Sequence, residues 1–218
     1  MTQTTSGVYG GVSASDRQAE RRSRLMAAGL ALIGGEGWAN TTVRGVCREA
    51  GLSSRFFYES FTDLDALAVA LFDELVEEAM TAAFAAIAEA GRTLPDRATA
   101  AMSALVEEFT RDPRRARFAF MEALGSEPLM QRRLAIMRST ADLLAAMARD
   151  SFAPWPEEDT YIDVVASVLS GGFIELMISF VGGQLKLDKE QLIADFVTMM
   201  ITSAESAAEI ARDRVTKA

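Results

Sequence analysis

The chain has 218 residues, half of them hydrophobic, with 31 acidic side chains against 22 basic ones, a formal net charge of −9, one cysteine and no histidine. That length suits one large domain or a small domain joined to a larger one. The missing histidine removes Ser-His-Asp and Cys-His triads, histidine-ligated zinc and the Glu-x-x-His di-iron pattern, and the lone Cys47 cannot close an intrachain disulfide, so no metal or cofactor is expected and an enzyme would have to work with carboxylates alone.

The opening stretch, MTQTTSGVYGGVSASD, has no basic segment followed by an apolar run, so no secretory signal is read there and a cytoplasmic protein is expected. Rich in Ser, Thr and Gly, residues 1–15 read as a disordered tail. Charge is uneven beyond it. Residues 1–61 hold seven arginines (Arg17, Arg21, Arg22, Arg24, Arg44, Arg48, Arg55) against five carboxylates, and the remainder holds 15 basic and 26 acidic residues. A small arginine-only excess confined to the N-terminal quarter of an acidic chain is the footprint of a local nucleic-acid contact.

The five prolines fall between periodic segments and no alternating β pattern occurs, so an all-α fold is expected. A first helix from Ser15 to Glu36 carries the stripe Leu25, Ala28, Leu32, Ile33, with Gly37 as its stop and Trp38 as the contact behind it. Thr41 and Thr42 suit the N-cap of a short helix over residues 43–50, in which Val43, Val46, Cys47 and Ala50 share a face. Gly51 breaks it, Ser53 or Ser54 caps again, and a third short helix covers residues 54–60, with Phe57 and Phe61 in the same small core as Leu52 and Val46. Two short helices about a glycine turn, braced by a longer one, make a helix-turn-helix unit.

The helices then lengthen. One runs from Asp63 to Ala90 and is the natural lever between the N-terminal unit and the rest. Others run from Pro95 to Arg111, from Pro113 (behind an Asp112 N-cap) to Leu124, and from Ser126 to Asp150. After the APWP loop, 153–156, come helices over 158–182 and 189–213, the second opened by a capping box, Asp188 to Gln191. The run VVASVLSGGFIELMISFVGG, 164–183, is long enough to span a bilayer. Its central glycines, Glu175, amphipathic neighbours and lack of flanking basic residues argue for a buried soluble helix instead. Such a helix must be covered on more than one side. Ser167 and Gly171 on it, with Phe196, Met199 and Met200 on the last helix, are expected to pack against a second copy as a four-helix homodimer interface.

The ordered set in ANTTVRGVCREAGLSSRFFYESFTDLDALAVALFDE, residues 39–74, resembles the helix-turn-helix signature of the TetR family of bacterial transcriptional regulators. The resemblance lies in the Thr-Thr-Val-Arg entry, the Ala-Gly-Leu-Ser turn, Tyr58 followed by Phe61, and Leu67 on the fourth helix. It implies a DNA-binding domain over residues 16–62 and a larger effector-binding and dimerisation domain over 63–218. It further implies a homodimer on double-stranded inverted-repeat operator DNA, and a small-molecule effector. Two departures stand out: Leu64 replaces the lysine usual at the start of the fourth helix, and Arg55 and Phe56 replace small or polar residues. Cys47, where the family has alanine, reads as a small buried hydrophobe.

Arg55 faces outward on the third helix, where a guanidinium can pair with guanine O6 and N7, meet a phosphate, or pair with Glu59 one turn on. Phe56 suits a thymine methyl or the domain's own edge. Tyr58, Thr42, Ser53, Ser54 and Ser60 suit phosphate oxygens, Arg44 faces the DNA backbone by family analogy, and Arg17, Arg21 and Arg22 can reach phosphates or the minor groove. For the effector, Phe118, Met121, Met137, Phe173, Met177 and Phe180 suggest an adaptable apolar pocket and hence a lipophilic ligand. The expected function is a dimeric DNA-binding regulator, a repressor released by that ligand. The alternative is a helical carrier or protein-docking adaptor without DNA binding. Glu77-Glu78 and Glu107-Glu108 are expected on solvated faces.

Overall fold

The computed structural model describes residues 14–152, 155 and 160–216. The expected tail, apart from its last two residues, and most of the APWP stretch lie outside them. Among the described residues there are nine α-helices and no strand. They are α1 (Ala14–Glu36), α2 (Val43–Ala50), α3 (Ser54–Ser60), α4 (Leu64–Glu89), α5 (Leu94–Thr110), α6 (Pro113–Ala116), α7 (Glu127–Ser151), α8 (Tyr161–Val181) and α9 (Lys189–Thr216).

Local chemistry sets the boundaries. Thr42 Oγ1 accepts from the Gly45 N–H at 3.0 Å, Asp63 Oδ1 from Ala66 at 2.7 Å, and Asp112 Oδ1 from Arg114 at 3.0 Å; such caps contribute about 1 kcal/mol each. Hydrogen bonds from the Arg114 side chain hold the Asp112 carboxyl below its usual range. Thr41 does not cap. It is buried and donates to Gly37 O at 2.9 Å. The capping box at α9 is half formed: Asp188 accepts from the Gln191 N–H at 2.8 Å, while the Gln191 side chain turns forward to Asp195.

The expected helix from Pro113 to Leu124 is not one α-helix. After one turn it passes through a π-helical turn, Arg117–Met121, into a 3-10 turn, Glu122–Gly125. The extra residue in the π turn changes which side chains face inward.

Leu25, Ile33, Val46, Phe57 and Leu67 are fully buried and, with Cys47 and Phe61, centre the N-terminal unit. Each such large apolar side chain contributes roughly 1.5–3 kcal/mol. Helix α4 packs along α5, α7 along α8, and α9 lies on α5 and α8. The carboxylates expected on solvated faces divide. Glu77 and Glu107 are exposed. Glu78 and Glu108 are partly covered and clamp the buried Arg115, whose Nη2 donates to Glu78 at 2.7 Å and Glu108 at 3.3 Å, tying α4, α5 and α6 together.

Helix α8 is apolar and long enough to cross a membrane by length and composition, yet only 22% of its most apolar window is buried within the chain. It packs on α7 and α9. Its other side leaves Val164 56% and Val168 68% exposed. The chain covers α8 on the sides of α7 and α9 and leaves this third side open.

Candidate nucleic-acid interface and ligand cavity

The turn between α2 and α3 is built by Gly51. Its φ of 63° is a left-handed conformation that glycine adopts without a Cβ penalty. Gly51 N–H bonds to Arg48 O at 3.2 Å and Leu52 N–H to Cys47 O at 2.9 Å, the two bonds of a Schellman motif. Arg24 on α1, which the sequence reading gave no role, locks the same turn: its Nη2 donates to Ala50 O at 2.6 Å.

Helix α3 then divides by face. Phe57 is buried, whereas Ser53, Ser54, Arg55 and Tyr58 are exposed, Tyr58 to 61%. Ser53 occupies the N-cap position without a side-chain cap bond, so its hydroxyl is not consumed there. Arg55 pairs with Glu59 at 3.0 Å, but the pair is open to solvent, with Arg55 at 84%. A pair that exposed is worth at most about 0.5 kcal/mol and gives way readily to a stronger anion. Arg44 and Thr42 are exposed at the start of α2, Arg17 is exposed on the first turn of α1, and Ser60 is half-buried.

Phe56 is half-buried, and the guanidinium of Arg21 lies over its ring at 4.6 Å. It packs at the domain's own edge, with one face already covered. Arg22 sits over Phe61 at 4.5 Å. Arg21, which also pairs with Glu59 at 4.0 Å, therefore braces α3 from α1, and Arg22 braces the residue that ends it.

The second feature lies among α4, α5, α7, α8 and α9. A cavity of about 150 Å³ is walled by Phe72, Phe109, Phe120, Met137, Phe173 and Phe196, among others. A neighbouring cavity of about 290 Å³ extends towards Phe84, Ile87 and Phe152. Met80, Met102 and Met200, with Leu144 and Leu169, line both. Of the residues expected in the pocket, Met137 and Phe173 line the first cavity. Phe118 and Met177 are fully buried in the core, Met121 is 40% exposed, and Phe180 packs against the core; none of these four lines either cavity. The π turn explains the first misplacement, since it carries Ala119 and Phe120 to the cavity wall.

Two residues expected at a dimer face are also corrected. Phe196 is 4% exposed and Met200 lines both cavities, so they serve the interior. Ser167 is exposed and Met199 46% exposed, and they remain available on the outside of α8 and α9, whereas Gly171 is half-buried and faces α7, where an added Cβ would meet Met137 Sδ at 3.9 Å.

One charged side chain lines the first cavity. Arg133 is half-buried and donates from Nη1 to Phe120 O at 2.9 Å. Burial lowers its guanidinium from the ordinary value. It was legible as an anomaly: Leu129, Arg133, Met137, Thr140 and Leu144 follow helical spacing, so Arg133 interrupts the inward stripe of α7.

Cavity and N-terminal unit meet at the π turn. Arg117 Nη1 donates to Gly35 O at 3.0 Å, and Glu122 accepts from Arg117 Nε at 3.1 Å and from the Trp38 N–H at 2.8 Å. Gly34 lies directly on the Arg114 backbone: an added Cβ would meet the Arg114 Cβ at 2.9 Å. The C-terminal end of α1 is thus docked on the segment that carries Phe120.

Comparison with known proteins agrees with this architecture. Residues 25–71 match the family described as bacterial regulatory proteins, tetR family. The fold is similar to that of the fatty acid degradation regulator FadR from Bacillus halodurans, with TM-score 0.71 at 15% identity over 83% of this chain and 94% of that one. It is also similar to FadR from Bacillus subtilis, solved in complex with stearoyl-CoA, with TM-score 0.69 at 17% identity over 83% and 98%. A TetR family transcription regulator from Marinobacter aquaeolei VT8 matches with TM-score 0.62 at 17% identity over 87% and 97%.

Proposed function

We propose that this chain, which carries the helix-turn-helix of the bacterial tetR regulatory family, is a cytoplasmic dimeric repressor of transcription that leaves its operator when a lipophilic effector fills the cavity. Residues 16–62 form the DNA-reading domain and residues 63–218 the effector and dimerisation domain. The observation that carries the DNA-binding half is the exposed row Ser53, Ser54, Arg55 and Tyr58 on a helix clamped from behind by buried Phe57. The apolar cavity walled by Phe120, on the segment that docks the end of α1, supports the effector half. The FadR neighbour bound to stearoyl-CoA makes an acyl ligand a reasonable class to test.

The dimer forms through α8 and α9, where Val164, Val168 and Met199 are exposed. Two recognition helices then enter major grooves about 34–36 Å apart. Arg55 leaves Glu59 for guanine O6 and N7, and the hydroxyls of Ser53, Ser54 and Tyr58 hold phosphates. No reaction is assigned to the chain.

The test is selection of randomised duplex DNA on the purified protein, repeated with Arg55→Ala. An enriched inverted repeat that loses preference at one position per half-site in the variant supports the reading, at a cost of about 1–3 kcal/mol. No enrichment at low salt by a folded dimer would favour the adaptor function.

A further inference from the structure

We propose that the cavity takes a single-chain amphiphile with an anionic head, a long-chain carboxylate being the simplest case, with the head at Arg133 and the chain lying past Phe120 and Phe173 towards the second cavity. This rests on the effector reading above and names the chemistry that reading leaves open.

Arg133 is set apart by where it lies and by what it lacks there. The chain is acidic, and several of its arginines find carboxylates: Arg115 has Glu78 and Glu108, Arg117 has Glu122, Arg132 has Asp73 and Arg149 has Asp163. Others without one, such as Arg22 over Phe61 and Arg24 on Ala50 O, stand outside the cavity. Among the described residues Arg133 has no carboxylate, and its one protein acceptor is the neutral Phe120 carbonyl. A guanidinium has five N–H donors. The cavity's other polar side chains are committed: Thr140 donates to Ile136 O and Ser170 to Met137 O, each at 2.9 Å. A half-buried cation without a counter-ion is a cost to the empty protein, and an incoming anion removes it.

The space fits one flexible chain. A cavity near 150 Å³ holds a group of benzene size. The second, near 290 Å³, sits at the lower edge of small-molecule pockets. Neither alone takes a long chain. The shared wall is rich in methionine, and the thioethers of Met80, Met102 and Met200 can swing aside to join the two. The second cavity has charges of both signs, the exposed Arg97 and Asp150, so it gives no net preference to an anion.

The experiment is calorimetric titration of the full chain, below micelle-forming concentrations, with dodecanoate, 1-dodecanol, dodecyltrimethylammonium and lauroyl-CoA. Dodecanoate is expected to bind roughly ten- to a hundredfold more tightly than dodecanol, and the ammonium more weakly than the alcohol. Arg133→Gln should bring dodecanoate down to the alcohol's affinity and leave the alcohol unchanged; Arg133→Lys should keep part of the preference. Tighter lauroyl-CoA binding with the same Arg133 dependence upholds the head assignment and makes a coenzyme thioester the source. Equal affinity for acid and alcohol, or an acid preference that survives Arg133→Gln, overturns the inference and leaves the effector cavity standing. Failure of every chain to bind the folded protein overturns both. If Arg133→Gln does not fold, the comparison of acid, alcohol and ammonium on the unaltered protein decides.

Discussion

Replacing Glu122 tests whether the cavity and the helix-turn-helix are joined where the hydrogen bonds place the joint. Its carboxylate accepts from the Trp38 N–H at 2.8 Å and from Arg117 Nε at 3.1 Å, and Arg117 also holds Gly35 O at 3.0 Å. The Glu122 side chain is 16% exposed and that of Arg117 43%, so the ion pair is partly screened and contributes no more than about 1 kcal/mol. The bond from Trp38 to a charged acceptor contributes about 1.5–3 kcal/mol. Glu122→Ala should therefore lower unfolding free energy by about 2–3 kcal/mol, and Glu122→Gln, which keeps an acceptor, by about half of that. Urea unfolding measures this part. The functional part is the ratio of operator dissociation constants with and without effector, read by fluorescence anisotropy. Coupling energies of this kind are typically about 1–3 kcal/mol. Severing the tie should remove about 1–2 kcal/mol of it, roughly a five- to thirtyfold fall in the ratio. Should Glu122→Ala lose the stability while the ratio keeps its original value, the tie is structural only and coupling runs along α4.

Three further changes probe the parts separately. Gly34→Ala would drive a Cβ into the backbone of Arg114, whose carbonyl carbon lies 3.0 Å from that position; overpacking of about 1–3 kcal/mol should outweigh the helix-propensity gain, and a raised melting temperature would refute the close approach. Glu59→Gln releases Arg55, held at 3.0 Å, and removes an anion from α3. Stability should move by no more than about 0.5 kcal/mol and low-salt DNA affinity should rise, whereas weaker binding would mean that Glu59 positions Arg55 for DNA. Val168→Asp places a carboxylate where Val168 is 68% exposed on the bare face of α8; at a dimer seam its desolvation costs several kcal/mol, so sedimentation should show monomers, and an unchanged dimer mass would move the interface elsewhere.

The N-terminal unit was readable almost to the residue because its signals are local. Thr42 as cap, Gly51 as a left-handed stop and Phe57 on the inner face each follow from neighbours within a few positions. Cys47 lies buried, as a small hydrophobe in that face should. The cavity was much less readable. Helical spacing separates an inner face from an outer one, but it does not separate a wall from a filled core, so Met137 and Met177 look alike in sequence and differ in the structure. The π turn defeated the pattern more directly. One additional residue per turn moved Phe120 to the cavity and left Met121 outside, and nothing in RFAFM marks it. Arg133 did leave a trace, a charge on an inward stripe, but a charge run beside Arg132 reads by default as a solvated face.

Both proposed activities converge on Phe120. Its ring faces the cavity and its carbonyl holds Arg133, while three residues before it and two after it Arg117 and Glu122 hold the end of α1. An anion that draws Arg133 away frees that carbonyl, and a π turn, having one residue too many for an α-helix, can re-space without breaking the chain. An effector acts only through unequal affinity for the two arrangements. The required displacement is small. Arg21, which lies over the ring of Phe56 on α3, stands fifteen residues before Glu36 at the docked end of α1, about 22 Å away at 1.5 Å per residue. A tilt of about 5° at that end would move it by roughly 2 Å, several times the ~0.5 Å window of a good hydrogen bond. The proposed dimer would have to satisfy base edges in two grooves at once and would not tolerate that shift in both subunits, so on this proposal a ligand touching no DNA residue would release the operator.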